Sequence, residues 1–486
     1  MAGGCRWWPI IFRGVRVVCP GGVNPLERCA MDRFDIRGGT RLAGRLTVKG
    51  SKNAALPLLA AALLTDGPVV LRDVPDLADI RGMFKLLTEL GCKVDYTPAE
   101  SADAAGGVVR IQVTDPTISH ARYEIVRTMR ASICTLGPML AKRGSARISL
   151  PGGCAIGERP VDLHLRGLCA LGADITLDSG DITARTPKAN GKAGRLRGAR
   201  IFLGGPFGST VLGTANVMCA AVLAEGTTVI ECAACEPEIV DLADMLTKMG
   251  ANIAGAGSPR VTIQGVARLN GVDHRVIPDR IEAGTYMCAA LMTNGDITLD
   301  NCPADALMAH IDRLQHAGAK FTVDEQMDPM RTLCRVQGAG TRGIQPIEVT
   351  TQPHPGFPTD LQAQLLASLT LADGNSVITE RIFTERFLHV AELTRMGASI
   401  FRQGPTVIVS GVRRLVGAPV MASDLRASAC LVLAGLAAEG TTIVNRVYHL
   451  DRGYERMEDR LRSLGAQIER VNDKEEVGVA AAQGVG

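Results

Sequence analysis

The stretch from Thr214 to Ile253 reads TANVMCAAVLAEGTTVIECAACEPEIVDLADMLTKMGANI, and its reading decides the fold. Thr214 to Leu223 is apolar on nearly every side, which predicts a helix buried all round. Glu225-Gly226 stops it, glycine being suited to the left-handed cap position. Thr227-Thr228-Val229-Ile230 reads as a strand. From Glu238 to Met249, apolar residues at Ile239, Leu242, Ala243 and Leu246 form a helical stripe with one wet face. Gly250-Ala251 ends that helix and Asn252-Ile253 opens the next strand.

The same order recurs six times, with copies beginning near Ala54, Arg130, Thr214, Ala283, Gln362 and Arg426. Each has a turn glycine (Gly67, Gly144, Gly226, Gly295, Gly374, Gly440) and a closing glycine (Gly91, Gly172, Gly250, Gly318, Gly397, Gly465), 23 to 28 residues apart. Such constancy marks one supersecondary unit used repeatedly. Six all-apolar helices do not fit around one centre. The expected solution is two domains of three units, with the apolar helices inside and sheets and amphipathic helices packed around them. The 486-residue length agrees with two cores. With aromatics at only 3%, those cores must be aliphatic, Ala and Gly. If the inner helices of a domain run parallel, their N-termini share one face. Two such faces opposed would form a cleft rimmed by positive helix ends.

The net charge of +3 is local: residues 1–30 hold Arg6, Arg13, Arg16 and Arg28 against Glu27 alone, so the rest is neutral. Without a Lys/Arg-rich run, no nucleic-acid partner is expected. Fourteen cysteines are scattered, with one CxxC at Cys232 and Cys235. There is no second pair and no His at zinc-finger spacing, which argues against a metal site. Scattered cysteines fit small reduced thiols in a cytoplasmic protein. No apolar run reaches the ~18 residues of a membrane span. The apolar stretch Trp7 to Val18 is broken by Arg13 and Arg16, unlike a cleavable signal. Residues 1–30 match no repeat and are expected to be a disordered extension or a mis-assigned start, Met31-Asp32-Arg33-Phe34 reading like a true one.

The copies differ mainly at their inner-helix starts. The first has Lys52 and Asn53, the second Arg127 and Arg130. The third has Ser209 and Thr210 after Gly204, Gly205 and Gly208. The fourth has Asp279, Arg280 and Glu282, the fifth Asp360, the sixth Asp424 and Arg426. Ser, Thr, Asn and Asp cap helices there. A cation at a helix N-terminus is instead opposed by the dipole, by about 0.3–1 kcal/mol. A bound anion attracted by both dipole and side chain explains the basic starts better than solvation or salt bridges.

Two further segments stand out. Pro151-Gly152-Gly153-Cys154-Ala155-Ile156-Gly157-Glu158-Arg159-Pro160 interrupts the second unit. Glycines on both sides of Cys154 suggest a mobile loop. A thiol near Arg159 in an anion-binding cleft could serve as acid or nucleophile, or be one more small residue. Asp451-Arg452-Gly453-Tyr454-Glu455-Arg456 follows the strand of unit six. Arg452 could point into the cleft or pair at the surface.

From Met31 to about Val471 the chain resembles the UDP-N-acetylglucosamine 1-carboxyvinyltransferases of the enolpyruvyl transferase family. The motifs that carry the likeness are Gly50-Ser51-Lys52-Asn53-Ala54-Ala55-Leu56-Pro57, Met129-Arg130-Ala131-Ser132, and Leu150 through Cys154 to Arg159-Pro160-Val161-Asp162-Leu163-His164. They continue with Glu236-Pro237-Glu238-Ile239-Val240-Asp241, Pro278-Asp279-Arg280-Ile281-Glu282, Phe357-Pro358-Thr359-Asp360, Asp424-Leu425-Arg426-Ala427-Ser428 and Asp451 to Arg456. The resemblance implies an α/β fold, the two-domain inside-out α/β barrel, each domain three βαβαββ repeats with the active site between them. Domain one would span 52–277 with the catalytic loop 151–160. Domain two would combine 31–51 with 278–471, and 472–486 would be a flexible tail.

The implied reaction transfers enolpyruvyl from phosphoenolpyruvate to the 3′-hydroxyl of UDP-N-acetylglucosamine and releases phosphate, the first committed step of peptidoglycan synthesis. No metal or organic cofactor is implied. Partners would be these two small molecules, with no nucleic acid or membrane, for a monomeric cytoplasmic enzyme. Asp360 would accept the hydroxyl proton and Cys154 would deliver a proton to C3, Cys154 also forming the adduct with phosphoenolpyruvate and fosfomycin. Lys52, Asn53, Arg159, Arg426 and Arg452 would bind phosphoenolpyruvate, Lys52 and Arg452 also counting as catalytic. Asn53, Arg130, Arg159, Pro160, Val161, Asp162, Leu163, Gly208, Ser209, Thr210, Val211, Asp360 and Ile382 would bind the sugar nucleotide. Two departures stand out. Cys134 replaces an aromatic residue often found four positions after the Arg of Met-Arg-Ala-Ser, which would alter substrate packing. The stretch Phe207 to Gly213 also differs from the best-known pattern. The alternatives are a shikimate 3-phosphate transferase of the same fold and a non-catalytic sugar-nucleotide-binding paralogue.

Overall fold

The computed structural model describes residues 32–101, 103–127, 129–150, 161–189, 192–324 and 326–472. The expectations for residues 1–30, for the loop 151–160 and for the tail beyond Asn472 fall on residues outside the described ones.

Unit three shows the plan. Strand Arg200–Phe202 leads into the inner helix Val211–Ala221, which returns as strand Thr227–Glu231 beside the first and parallel to it. Parallel neighbours need such a crossover. The outer helix Pro237–Lys248 follows, then strands Asn252–Ala254 and Arg260–Gln264, the latter antiparallel to Thr227–Glu231. Thr214 to Leu223 is buried on every side, as the composition demands. Strands Thr227–Glu231, Asn375–Thr379 and Thr441–Asn445 share one alternation of burial, with one face on the inner helices and the other toward solvent. Six four-stranded sheets of this mixed kind are present among the described residues.

The inner helices are Lys52–Ala61, Leu136–Arg143, Val211–Ala221, Arg280–Met292, Gln362–Leu369 and Leu425–Ala437. The second departs from expectation. Arg130 to Thr135 forms a 3-10 turn, and the α-helix begins only at Leu136. Pro138 explains this. Its ring clashes with an α-turn running back through Cys134, whereas a proline in the first α-turn costs nothing.

All six closing glycines have positive φ, from 81° to 106°. Of the turn glycines, Gly67 and Gly295 do not, and crowding explains them instead. A Cβ on Gly67 would lie 2.5 Å from the Gly271 nitrogen, and one on Gly295 2.6 Å from the Leu42 carbonyl. These are the two units whose leading strand is borrowed. Ala43–Thr47, just before the first inner helix, pairs in parallel with Asp296–Cys302 of unit four. Val272–Arg275, just before the fourth, pairs in parallel with Val69–Val74 of unit one. The crossing segments run side by side: the Ser51 N–H donates to the Ile277 carbonyl at 2.7 Å, and the Asp279 N–H to the Lys49 carbonyl at 2.8 Å. Asp32–Arg37 inserts antiparallel between Thr441–Asn445 and Gln467–Asn472, completing the sixth sheet. Buried apolar side chains accordingly form two clusters. One runs from Ala54 to Val276; the other joins Phe34–Val48 to Ile281–Ile468.

Candidate active site

The two clusters meet at the starts of their inner helices. Ser51 caps the first, its hydroxyl accepting from the Ala54 N–H at 3.2 Å. Asp279 serves two helices at once. One carboxylate oxygen accepts from the Ile281 and Glu282 N–H groups of the fourth inner helix, and the other accepts from the Lys52 N–H at 3.2 Å. One side chain thus fixes the mouth of the first helix against that of the fourth. Pro57 has no N–H to offer the Asn53 carbonyl one turn back.

Lys52 is 8% exposed, and its Nζ lies 3.3 Å from Asp79 Oδ2. Burial holds its proton affinity below the ordinary lysine value; Asp79 and Asp360 oppose that effect, and Arg426 and Arg452 add to it. Arg452, from the other cluster, donates through Nε to Asp79 Oδ1 at 2.9 Å.

Asp360 lies in the 3-10 turn Thr359–Leu361. Arg386 donates to its Oδ1 at 2.8 Å. Asn53 and Arg426 reach its Oδ2 at 3.4 Å and 3.3 Å. Arg426 is buried, with its guanidinium over the Tyr454 ring, while Asp424 caps its helix. The buried Glu380 accepts from the Thr351 and Thr359 hydroxyls and from the Ile382 and Phe383 N–H groups. That carboxylate shapes the loop carrying Ile382 and Arg386.

Five residues expected from sequence, Lys52, Asn53, Asp360, Arg426 and Arg452, therefore share one network across the two clusters. Of the two explanations for the basic helix starts, a bound anion or salt bridges, the structure shows the ion pairs: Lys52 and Arg426 each hold a carboxylate of the protein itself, and so does Arg452. Cations gathered at helix mouths and in the adjoining loop are stable without ligand only if local carboxylates offset them.

The remaining residues lie beside this network. Val161, Asp162 and Leu163 begin the outer helix Asp162–Ala170. Its His164 meets Asn216 of the third inner helix at 3.1 Å, and Asn216 donates to the Ile133 carbonyl. Burial, with the nearby Arg130 charge, lowers the His164 pKa to about 4. Thr210 caps the helix that starts at Val211. Before Ser209, Gly208 (φ 97°) lies against the opposite half: a Cβ there would sit 3.2 Å from Pro353 Cγ. Cys154, Arg159 and Pro160 lie outside the described residues. Cys134 is 2% exposed and buried with Cys219 in the first core, so its substitution alters internal packing rather than a substrate face.

Sequence reasoning missed Asp79 and Arg386. Asp79 reads as an ordinary acid in the first turn of an outer helix, and Arg386 lies in a loop without a motif. The repeat itself held the signal for Arg386. It stands seven residues past strand Asn375–Thr379, as Arg452 stands past Thr441–Asn445. Among the described residues, no three His, Cys, Asp or Glu side chains gather as metal ligands, and no helix is long and apolar enough to cross a membrane.

The model of the EPSP synthase (3-phosphoshikimate 1-carboxyvinyltransferase) family matches residues 36–481. The chain belongs to this enolpyruvyl transferase family. It is 51% identical over 441 residues to a UDP-N-acetylglucosamine 1-carboxyvinyltransferase of Desulfosudis oleivorans, a match covering 91% of this chain and all of that one. It is 52% identical over 442 residues to the Sphingopyxis alaskensis protein of the same name, again 91% of this chain and 100% of the relative. Among solved structures, the enolpyruvyl transferase NikO from Streptomyces tendae superposes with a TM-score of 0.78 at 23% identity, covering 91% of this chain and 99% of that one. The EPSP synthase of Acinetobacter baumannii gives 0.69 at 19% identity, over 90% and 100%. These structural likenesses establish the shared α/β fold of this transferase family.

Proposed function

We propose that this enzyme transfers the enolpyruvyl group of phosphoenolpyruvate to the 3′-hydroxyl of UDP-N-acetylglucosamine, releasing phosphate. The observation that carries the reading is the Asp360 carboxylate, set between Asn53, Arg386 and Arg426 with Lys52 and Arg452 beside it. A base amid cations at opposed helix mouths suits an acceptor hydroxyl and a substrate bearing phosphate and carboxylate.

In this reading Asp360 accepts the proton of the attacking hydroxyl as its oxygen bonds to C2. Cys154 supplies the proton that C3 gains, giving a tetrahedral intermediate. Loss of a C3 proton and cleavage of the C2–O bond to phosphate then form the enol ether. Lys52, Arg159, Arg426 and Arg452 hold phosphate and carboxylate. Arg130, Val161, Asp162, Leu163, the Gly208–Val211 stretch and Ile382 hold the nucleotide. The two apolar clusters act as the two domains, and the enzyme works as a cytoplasmic monomer.

The test is phosphate release from phosphoenolpyruvate with UDP-N-acetylglucosamine, run beside shikimate 3-phosphate, the acceptor that the matched family's description favours. Release with the sugar nucleotide alone is expected; release with shikimate 3-phosphate alone would overturn the assignment. Cys154→Asp should keep turnover, since a carboxylic acid also donates a proton, but lose covalent inactivation by fosfomycin. Continued labelling of that variant would remove Cys154 from its role.

A further inference from the structure

We propose that Asp79 is a positioning residue for the transfer: its carboxylate holds the Lys52 ammonium and the Arg452 guanidinium, one from each half, until the substrate phosphate takes its place between them. The proposal deepens the reading above and rests on it.

Asp79 is 7% exposed and uses both oxygens, Oδ2 toward Lys52 Nζ at 3.3 Å and Oδ1 toward Arg452 Nε at 2.9 Å. A carboxylate that deep, shared by cations from two separate cores, does more than close a surface pair. The Arg452 contact has the length of a strong charge-assisted bond, while the Lys52 contact is longer. The Arg452 side chain is 37% exposed, so solvent and ligand can reach it without unfolding either half.

The charges around Lys52 explain why the position needs an acid. Arg426 from the sixth inner helix and Arg452 from the following 3-10 turn both repel its ammonium, and burial opposes its charge further. On the favourable side are Asp79 from the outer helix and Asp360 from the 3-10 turn. The Asp279 carboxylate accepts the Lys52 backbone N–H. Asp360 is shared with Arg386, Arg426 and Asn53, which leaves Asp79 as the principal counter-charge of Lys52. Without it, burial and two neighbouring guanidiniums would lower the proton affinity of Lys52 further. A neutral amine neither attracts phosphate nor offsets charge on the leaving group. An incoming phosphate, carrying more negative charge and more acceptor oxygens, can replace Asp79 on both cations.

The experiment compares wild type, Asp79→Asn and Asp79→Glu. kcat and KM for phosphoenolpyruvate are measured from pH 6 to 9, and inorganic phosphate affinity is titrated over the same range. For Asp79→Asn we expect the alkaline fall in kcat/KM to move down by about one pH unit. The loss should therefore be up to about tenfold greater at the alkaline end of the range than at pH 6. Phosphate binding should weaken in parallel, and Asp79→Glu should restore the limb. A uniform loss at every pH, or an unmoved limb with unchanged phosphate affinity, would overturn the proposal and leave Asp79 a plain tie between halves. Phosphate titration needs no acceptor, so it reads on Asp79 even if UDP-N-acetylglucosamine proves to be the wrong substrate.

Discussion

Units five and six carry an arginine at the same place in the repeat, yet the two do different things. Arg386 stays within its own half, 6% exposed, clamping Asp360 and touching the Thr359 hydroxyl. Arg452 leaves its half, stays 37% exposed, and reaches Asp79 of the other half. The inner-helix starts diverge likewise: Asp360 in unit five meets Arg426 in unit six. One backbone plan thus yields a fixed carboxylate with a buried clamp in one copy, and a shared, accessible cation in the next. The repeat sets where a side chain emerges. The neighbour it finds there sets its chemistry.

The comparison breaks most visibly at Asp360. Asp360→Ala should leave substrate binding largely intact and cut kcat by ~10²–10⁴, the range for a lost acid–base group. Near-normal turnover would remove unit five from the chemistry. Next come the paired arginines. Arg386→Ala should lower kcat and also destabilise the fold by about 2 kcal/mol, because charged hydrogen bonds to Asp360 and Thr359 are lost from a buried position. Arg452→Ala should raise KM for phosphoenolpyruvate with little change in the urea midpoint, since partly exposed ion pairs contribute about 0–1 kcal/mol. Equal losses of stability would erase the distinction.

Acid should separate the halves further. Burial lowers His164 in the first half, and His310 and His389 in the second, from the ordinary histidine value of 6.5 to about 4. Unfolded histidines take protons below pH 6.5, while these refuse them until about pH 4. Stability is therefore complete above the unfolded value and falls as pH drops between the two. The slope approaches about 1.4 kcal/mol per pH unit for each histidine. With two such groups, the second half should lose amide-exchange protection first at pH 5. His389→Leu should flatten its slope. The smallest effect concerns the turns. Gly440 in unit six has φ 89° and open space around it, so Gly440→Ala should cost only about 1 kcal/mol of backbone strain. Gly67→Ala, where a Cβ would meet Gly271, should cost more; equal melting temperatures would contradict that.

The sequence by itself determined the unit and its copies. Apolar helices of period 3.6, β-branched alternation and glycines at two fixed points are local signals; burial obeys them, and so does φ at every closing glycine and at four of the six turn glycines. It also determined which residues would crowd the helix mouths, because Lys52, Asp360 and Arg426 stand at positions equivalent by repeat. Only the tertiary structure decided who meets whom. Backbone hydrogen bonding in a sheet is blind to sequence, so nothing in Ala43–Thr47 says that it will pair with Asp296–Cys302 rather than with its own unit. That exchange carries the chain across at Lys49–Ser51 and Ile277–Asp279. Asp79 then becomes the partner of an arginine 373 positions away, a contact set by the packing of two cores and by no local motif.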